Sequence, residues 1–333
     1  MPFKFMFTSG LLISTIMAIS SNNWLFIWMS MELNMLSFIP IIITSSNKTQ
    51  NIEATVKYFL AQSFGSALLL MTSMLLMFHM TPTILNMMLT SSILLKLGSA
   101  PFHFWYPSVM TSMSWMNCLV LSTWQKLAPL SIISFIISYS STTMLTVVAA
   151  TCSIIGGMYG MMQAHLRTIL AYSSIGHIGW MLSMLTINMP MKTMIYYMFY
   201  IILISPIFIM MKIMQMSSYK IIPEMHLLSS SKTMTFWILM FSLGGLPPLT
   251  GFLPKLMVLT SIMTYKKLLV VALILGSVMN LYFYLSMSFV MMTTKTQTTN
   301  FMSTKTNHTQ VIITSLMAVM GTISLTGLPI LIL

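Results

Sequence analysis

The stretch Leu94-Leu95-Lys96-Leu97-Gly98-Ser99-Ala100-Pro101-Phe102-His103-Phe104-Trp105 places a lysine, a helix break and an aromatic tail inside apolar sequence. An ammonium near the middle of a bilayer-spanning helix costs roughly 2.5–3.5 kcal/mol, so Lys96 is expected to face protein or a wet cavity. Pro101 removes a backbone donor, and unpaired backbone groups are tolerated only away from lipid. The stretch therefore predicts a functional site at a broken membrane helix.

The composition excludes a soluble domain. The chain has 333 residues, of which 57% are apolar and 5% are charged, whereas about 25% of the residues of a soluble domain are charged. A bilayer core of about 30 Å needs about 20 helical residues, and the apolar runs have that length. The short alternating segments of a membrane barrel are absent from the sequence. The predicted fold class is an all-α polytopic membrane protein.

Apolar runs between polar, glycine and proline breaks predict about eleven transmembrane helices. In chain order the predicted spans are Phe3 to Ser20, Trp24 to Thr44, Val56 to Phe78, Ile84 to Phe104, Trp115 to Tyr139, Met144 to Met162, Thr168 to Leu185, Met194 to Met211, Phe236 to Thr260, Leu268 to Val290 and Val311 to Leu333.

The ninth predicted span has the same pattern as the fourth, a lysine beside a helix break. It carries Gly244-Gly245-Leu246-Pro247-Pro248 and then Gly251-Phe252-Leu253-Pro254-Lys255, a second lysine at a helix break. Because an offset of five spans reverses direction, two five-helix units would be related by inverted topology, as in many secondary transporters. We predict one membrane domain with a first inverted repeat at residues 1–140, a second at 141–292, and a polar loop and last span at 293–333.

The distribution of basic residues predicts the orientation in the membrane. Of the 15 Lys and Arg residues, nine lie at span ends on the side of the N-terminus and three on the opposite side. The side with more basic residues is normally the inner one. We therefore expect the N-terminus on the matrix or cytoplasmic side and the C-terminus on the opposite side. The net charge of +12 is scattered, which favours contact with acidic phospholipid and argues against nucleic acid.

Glu32 and Lys96 are the first candidates for chemistry. Glu32 lies in the middle of the second predicted span and is one of three acidic residues in the chain, so it needs a partner. A nearby carboxylate favours the ammonium form of Lys96, whereas burial favours the neutral amine, so small movements could switch a proton. The alternative is a static buried pair that joins two helices.

Four further residues could carry protons through the membrane. Lys126 and Lys255 each lie within a turn of a proline inside an apolar span. For both, the alternative is a side chain that reaches the membrane interface. His103 and His177 are possible relays, because imidazole titrates near neutral pH. A hydrogen-bonded core histidine is the alternative for each.

Other residues read as structural. Cys118 and Cys152 lie in apolar segments without the spacing of an iron–sulfur, zinc or disulfide site, so we expect small buried side chains. Gly156, Gly157 and Gly160 are expected to permit close helix packing. Glu53 and Lys57 are expected to pair at a helix end.

The sequence contains no phosphate loop and no nucleophile beside a base, so it shows no motif that could supply energy for transport.

Six motifs carry a resemblance to a known family. They are MELNMLSFIP at 31–40, EATVKYFLAQ at 53–62, KLGSAPFHFWYP at 96–107, TWQKLAP at 123–129, LAYSSIGHIGWM at 170–181 and SLGGLPPLTGFLPK at 242–255. Through them the chain resembles the antiporter-like membrane subunits of NADH:ubiquinone oxidoreductase, respiratory complex I. The resemblance covers nearly the whole chain.

The resemblance implies a function and a set of site residues. Glu32 and Lys96 would form a pair, Lys126 would be the central relay and Lys255 would be the lysine of the second broken helix. The chain would be a core membrane-arm subunit of the mitochondrial inner membrane that translocates protons and associates with other membrane-arm and accessory subunits. NADH, FMN, iron–sulfur clusters and ubiquinone would bind to other subunits, with none on this chain.

Two alternatives remain open at this point. The first is a stand-alone cation/proton antiporter of the same fold, which would not depend on a large set of partners. The second is a non-conducting membrane scaffold, in which neutralising Lys126 would affect assembly alone.

Overall fold

The computed structural model describes residues 2–44, 49–77, 82–137, 142–214 and 230–295. Every regular element in these ranges is an α-helix. The helices are α1 Pro2–Ser20, α2 Trp24–Thr44, α3 Thr49–Met77, α4 Pro82–Leu97, α5 Trp105–Ser112, α6 Trp115–Ser122, α7 Trp124–Ile136, α8 Thr142–Met161, α9 Leu166–Leu185, α10 Pro190–Met214, α11 Ser230–Gly244, α12 Phe252–Ile262 and α13 Lys267–Lys295.

The described helices confirm an all-helical membrane fold. Within these ranges, six stretches are long and apolar enough to cross a membrane: Trp24–Thr44, Thr49–Leu76, Trp115–Ile136, Thr142–Met161, Pro190–Ile213 and Lys267–Phe289. α1, α4, α11 and α12 are shorter apolar helices. The last predicted span, residues 311–333, lies outside the described residues. The total of eleven spans and the inverted repeats therefore stay predictions.

The fourth predicted span is broken at Gly98. The Gly98 amide donates to the Leu95 carbonyl and the Ser99 amide to the Leu94 carbonyl, each over 3.1 Å. This is a Schellman motif, which needs a residue with positive φ just after the helix, and Gly98 has φ +73°. The motif ends α4 one residue after Lys96.

The ninth predicted span ends its first half in the same way. Gly245 has φ +81°, and its amide donates to the Ser242 carbonyl over 3.0 Å while the Leu246 amide donates to the Phe241 carbonyl over 3.3 Å. Both glycine-and-proline stretches of the sequence thus become left-handed glycine caps inside the membrane domain.

A third interruption, at Thr123, separates α6 from α7. Thr123 adopts φ −108° and ψ −81°, and its hydroxyl donates to the Leu119 carbonyl over 2.7 Å. Its own carbonyl accepts the Tyr197 hydroxyl over 2.5 Å. Side-chain bonds of this kind compete with the helical ladder and can end a helix. The sequence predicted one continuous helix here.

Small residues let α8 pack closely against its neighbours. A Cβ atom added to Gly156 would lie 2.7 Å from the Gly176 backbone nitrogen on α9. One added to Gly160 would lie 2.7 Å from the Phe283 ring on α13. The predicted role of these glycines in helix packing is confirmed.

We expect Gly98→Ala to destabilise the protein by about 1–2 kcal/mol, because a residue with a Cβ atom is strained at positive φ. The added carbon would also lie 3.2 Å from the Trp105 and Tyr106 side chains. The measurement is the melting temperature of the purified protein in detergent. Gly10→Ala is the matched control, since Gly10 lies within α1 and its nearest neighbour would be the Ser37 Cβ at 3.4 Å. Equal losses in both variants would contradict the cap.

Candidate functional site

The three intramembrane lysines are all buried. Their exposed fractions are 6% for Lys96, 2% for Lys126 and 5% for Lys255. For Lys126 and Lys255 this burial favours a place inside the protein over a side chain that reaches the membrane interface. Each must instead be accommodated by the groups around it.

Lys96 occupies the last turn of α4. Cations are favoured at the C-terminal end of a helix, because the unpaired carbonyls give that end partial negative charge. The Lys96 carbonyl accepts a hydrogen bond from the Gln62 amide over 3.2 Å, and the Leu95 carbonyl accepts one from the Trp105 indole over 3.0 Å. The stem of Lys96 packs on Gly65, where an added Cβ would lie 2.9 Å from the Lys96 Cγ.

Lys255 uses a helix end in a different way. It lies in the first turn of α12, after the break, and its Nζ donates over 2.6 Å to the carbonyl of Gly244, the last residue of α11. The Trp180 ring centroid is 5.9 Å from the same Nζ. Lys96 therefore precedes its break and Lys255 follows its break. Lys96 lies in the C-terminal turn of α4, and the Lys255 ammonium donates to the C-terminal carbonyl of α11.

Lys126 has neither arrangement. It lies in the first turn of α7, and its Nζ has no hydrogen-bond partner among the described residues. Two aromatic rings face it: the Nζ lies 5.0 Å from the Tyr106 centroid and 5.3 Å from the Tyr200 centroid.

A small cavity connects the surroundings of Lys96 and Lys126. The cavity has a volume of about 20 Å³. Both lysines line it, together with Asn34, Tyr58 and Gln125, among others. One ordered water needs about 10–15 Å³ and two to four polar partners. Within the described part of the chain, Asn34 Oδ1, Gln125 Nε2 and Lys126 Nζ are buried without a protein partner. The cavity has both the room and the polar groups to hold a water molecule.

Glu32 lies on α2 near this site but makes no direct ion pair with Lys96. Its side chain is half-buried, and it interacts electrostatically with Lys96 and Tyr58. Over the described residues, the only ion pair within 4.0 Å joins Glu53 to Lys57, at a distance of 2.5 Å. That exposed helix-end pair is confirmed. Glu32 acts on Lys96 through space.

The two histidines occupy different surroundings. His177 on α9 interacts electrostatically with both Lys126 and Lys255, and its Nδ1 lies 2.9 Å from the Tyr196 hydroxyl oxygen. His103 follows the break after α4, and its ring stacks on the Phe104 ring with the centroids 4.4 Å apart. The structure therefore brings His177 together with the lysines, while the described contacts of His103 are with other groups.

Several polar residues at the site were not singled out from the sequence. The Tyr58 hydroxyl donates to Gln125 Oε1 over 3.3 Å, and Asn34 completes the cavity wall. Amide side chains within apolar spans were the available signal, because such groups are costly there without partners. The sequence contained no comparable signal for Tyr106 and Tyr200.

The described residues show no group of three His, Cys, Asp or Glu side chains that could hold a metal ion. Cys118 and Cys152 are buried free thiols, as predicted. The Cys152 Sγ accepts a hydrogen bond from the Ala100 amide over 3.1 Å, so it braces the broken turn.

Comparison with known proteins identifies relatives over most of the chain. Residues 21–280 match the model of the NADH:quinone oxidoreductase/Mrp antiporter transmembrane family. NADH-ubiquinone oxidoreductase chain 2 of Lumbricus terrestris is 51% identical over 280 residues, which are 84% of this chain and 83% of the relative. The chain 2 protein of Locusta migratoria is 41% identical over 295 residues, 86% and 84% of the two chains.

Two solved structures share the fold. A chain of respiratory complex I from Thermus thermophilus superimposes with a TM-score of 0.82 at 20% identity, over 98% of this chain and 78% of that one. A chain of the Mrp complex from Dietzia sp. DQ12-45-1b superimposes with a TM-score of 0.73 at 15% identity, over 90% and 61%.

We expect Gly65→Val to destabilise the protein by about 1–3 kcal/mol, because the new side chain would overlap the stem of Lys96 in a packed interface. Ala67→Val is the matched control on the same helix, since Ala67 is exposed on the outer face of α3. The melting temperature in detergent measures both. A loss confined to Gly65→Val supports the contact, and an unchanged melting temperature would argue against it.

Proposed function

The chain belongs to the NADH:quinone oxidoreductase/Mrp antiporter family, and from this premise we propose that Glu32, Lys96, Lys126 and Lys255 form its proton path. Its relatives establish it as a membrane-arm subunit of respiratory complex I, in the mitochondrial inner membrane, involved in proton translocation. The observation that carries the proposed path is the cavity shared by Lys96 and Lys126.

The first transfer in this path runs from Lys96 to Lys126. A water held by Asn34 Oδ1 and Gln125 Nε2 would accept a proton from one lysine and donate one to the other. Tyr58 fixes the orientation of Gln125 through its hydroxyl. Glu32 favours the charged form of Lys96 through space, and its effect depends on the distance between α2 and α4.

The second transfer runs from Lys126 to Lys255. His177 interacts electrostatically with both lysines. We propose His177 as the relay, because imidazole can accept a proton at one nitrogen and release it at the other. For His103 the described contacts support a structural role beside the broken turn of α4 more than a relay.

The energy for transport comes from outside this chain in our proposal. Moving a proton against a membrane potential costs about 2.3 kcal/mol per 100 mV, and the sequence holds no nucleotide motif. As part of an NADH:ubiquinone oxidoreductase, the chain would respond to redox chemistry at NADH, FMN, iron–sulfur clusters and ubiquinone in other subunits. Redox catalysis would not occur on this chain.

The remaining features of the proposal concern placement. We propose that the N-terminus lies on the matrix side and the C-terminus on the opposite side, in line with nine basic residues against three. Residues 1–140 and 141–292 would be the two inverted repeats, with residues 293–333 following them. Partners would be other membrane-arm and accessory subunits, with acidic phospholipid at the basic loops.

The test of the path is Lys96→Met in the assembled complex. Removing the amine breaks the first transfer, so the number of protons translocated per electron should fall by the share that this subunit carries. The measurement combines proton uptake into vesicles with NADH oxidation in the same sample. Lys267→Met is the control, because Lys267 is an exposed lysine at the start of α13.

An unchanged proton-to-electron ratio in Lys96→Met would rule out the path. Lys126→Met separates conduction from scaffolding: a conducting subunit assembles normally and loses translocation, whereas a scaffold loses assembly and the assembled fraction keeps its full ratio.

A further inference from the structure

Lys126 has neither the nearby carboxylate that Lys96 has in Glu32 nor the carbonyl acceptor that Lys255 has in Gly244. Its Nζ makes no hydrogen bond to a described residue, and no carboxylate of the described chain lies within 4.0 Å of it. It also lies in the first turn of α7, where the helix dipole disfavours a cation. The nearby carbonyl of Thr123 is already bonded to the Tyr197 hydroxyl. Something else must stabilise the ammonium when a proton is present.

Two tyrosine rings supply that interaction. The Tyr106 ring on α5 and the Tyr200 ring on α10 lie with their centroids 5.0 Å and 5.3 Å from the Lys126 Nζ. A cation within about 6 Å of a ring centroid is attracted by the ring quadrupole, and this attraction strengthens when water is excluded. Both tyrosines are 1% exposed, so the interaction is desolvated.

The two rings are held in place by their own contacts. The Tyr106 and Trp105 rings make an edge-to-face contact, with centroids 5.7 Å apart and an interplanar angle of 84°. The Tyr106 hydroxyl oxygen accepts a hydrogen bond from the Ser174 hydroxyl over 3.0 Å. The Tyr200 ring lies 5.2 Å from the His177 ring. Because the rings are fixed before a proton arrives, little reorganisation is needed to stabilise the charge.

We propose that Tyr106 and Tyr200 form an aromatic clamp that stabilises the protonated form of Lys126 in place of a carboxylate. The proposal rests on the proposed role of Lys126 as a proton relay, and it makes the two tyrosines positioning residues for that relay. Tyr106 comes from the first predicted repeat and Tyr200 from the second. A movement of α10 away from α7 therefore destabilises the charged lysine.

Other groups around Lys126 do not replace the clamp. The described neighbours that can titrate are the Cys152 thiol on α8, His177 on α9, and Lys96 across the cavity on α4. None of them is a carboxylate. The Cys152 thiol favours the ammonium only as a thiolate, whereas the two ring faces attract the charge without ionising.

The experiment compares substitutions that keep or remove the rings, in the assembled complex reconstituted in vesicles. Tyr106→Phe and Tyr200→Phe keep the ring face, and Tyr106→Leu and Tyr200→Leu remove it. Loss of a ring destabilises the ammonium, so the amine becomes neutral at lower pH. We expect the alkaline limb of the pH profile of proton translocation to move down by about one unit in the leucine variants. The phenylalanine variants should retain the original profile.

Tyr284→Leu is the matched control, because Tyr284 on α13 is also 1% exposed and has no described contact with Lys126. If its profile moves as far as those of the clamp variants, or if their profiles do not move, the clamp is wrong. Should a leucine variant fail to assemble, the methionine variant at the same position, which retains more of the volume, decides by the same criterion.

Lys126→Met in the same series separates the two proposals. If it leaves the proton-to-electron ratio unchanged, the relay itself is wrong. If it abolishes this subunit's share while ring removal leaves the pH profile unmoved, the relay stands and the clamp alone is overturned.

Discussion

A positive charge in an apolar interior needs negative potential close by, and this chain has very few carboxylates to provide it. The broken helices meet that need, because each break leaves carbonyl groups at the end of a half-helix within the membrane domain. Lys96 lies in the last turn of α4, and Lys255 donates to the terminal carbonyl of α11. Left-handed caps at Gly98 and Gly245 end these two half-helices. The breaks that end these half-helices thus also determine where a lysine can be placed in the apolar interior.

Much of the fold could be predicted from the sequence, because apolar length in a membrane protein directly reports helix position. Each of the first ten predicted spans overlaps one or two described helices, and six described stretches are long and apolar enough to cross a membrane. Two breaks follow from glycine and proline. The break at Thr123 could not be predicted, since threonine is common within helices. It arises from two hydrogen bonds, one from the Thr123 hydroxyl and one from Tyr197 on a distant helix. Such tertiary contacts leave no periodic signal.

The placement of the lysines was predictable to a similar degree. Buried lysines stand out in apolar sequence because they are costly, and all three lie in the interior. The partner predicted for Lys96, Glu32, acts through space, because α2 directs Met31, Asn34 and Met35 into the intervening cavity wall. Tyr106 and Tyr200 could not be singled out, since an aromatic residue in a membrane span is ordinary until a cation is found against its face. Their proposed role depends on tertiary packing that brings Tyr200 on α10 to the same ammonium as Tyr106 on α5.

The hydrogen bond from Lys255 to Gly244 has a consequence for how the protein tolerates turnover. An ammonium carries three N–H groups and the neutral amine still carries two, so either form can donate to the carbonyl. The cap of α11 can therefore survive the departure of the proton. If Lys255 exchanges a proton as we propose, the second broken helix can keep this hydrogen bond while its charge changes.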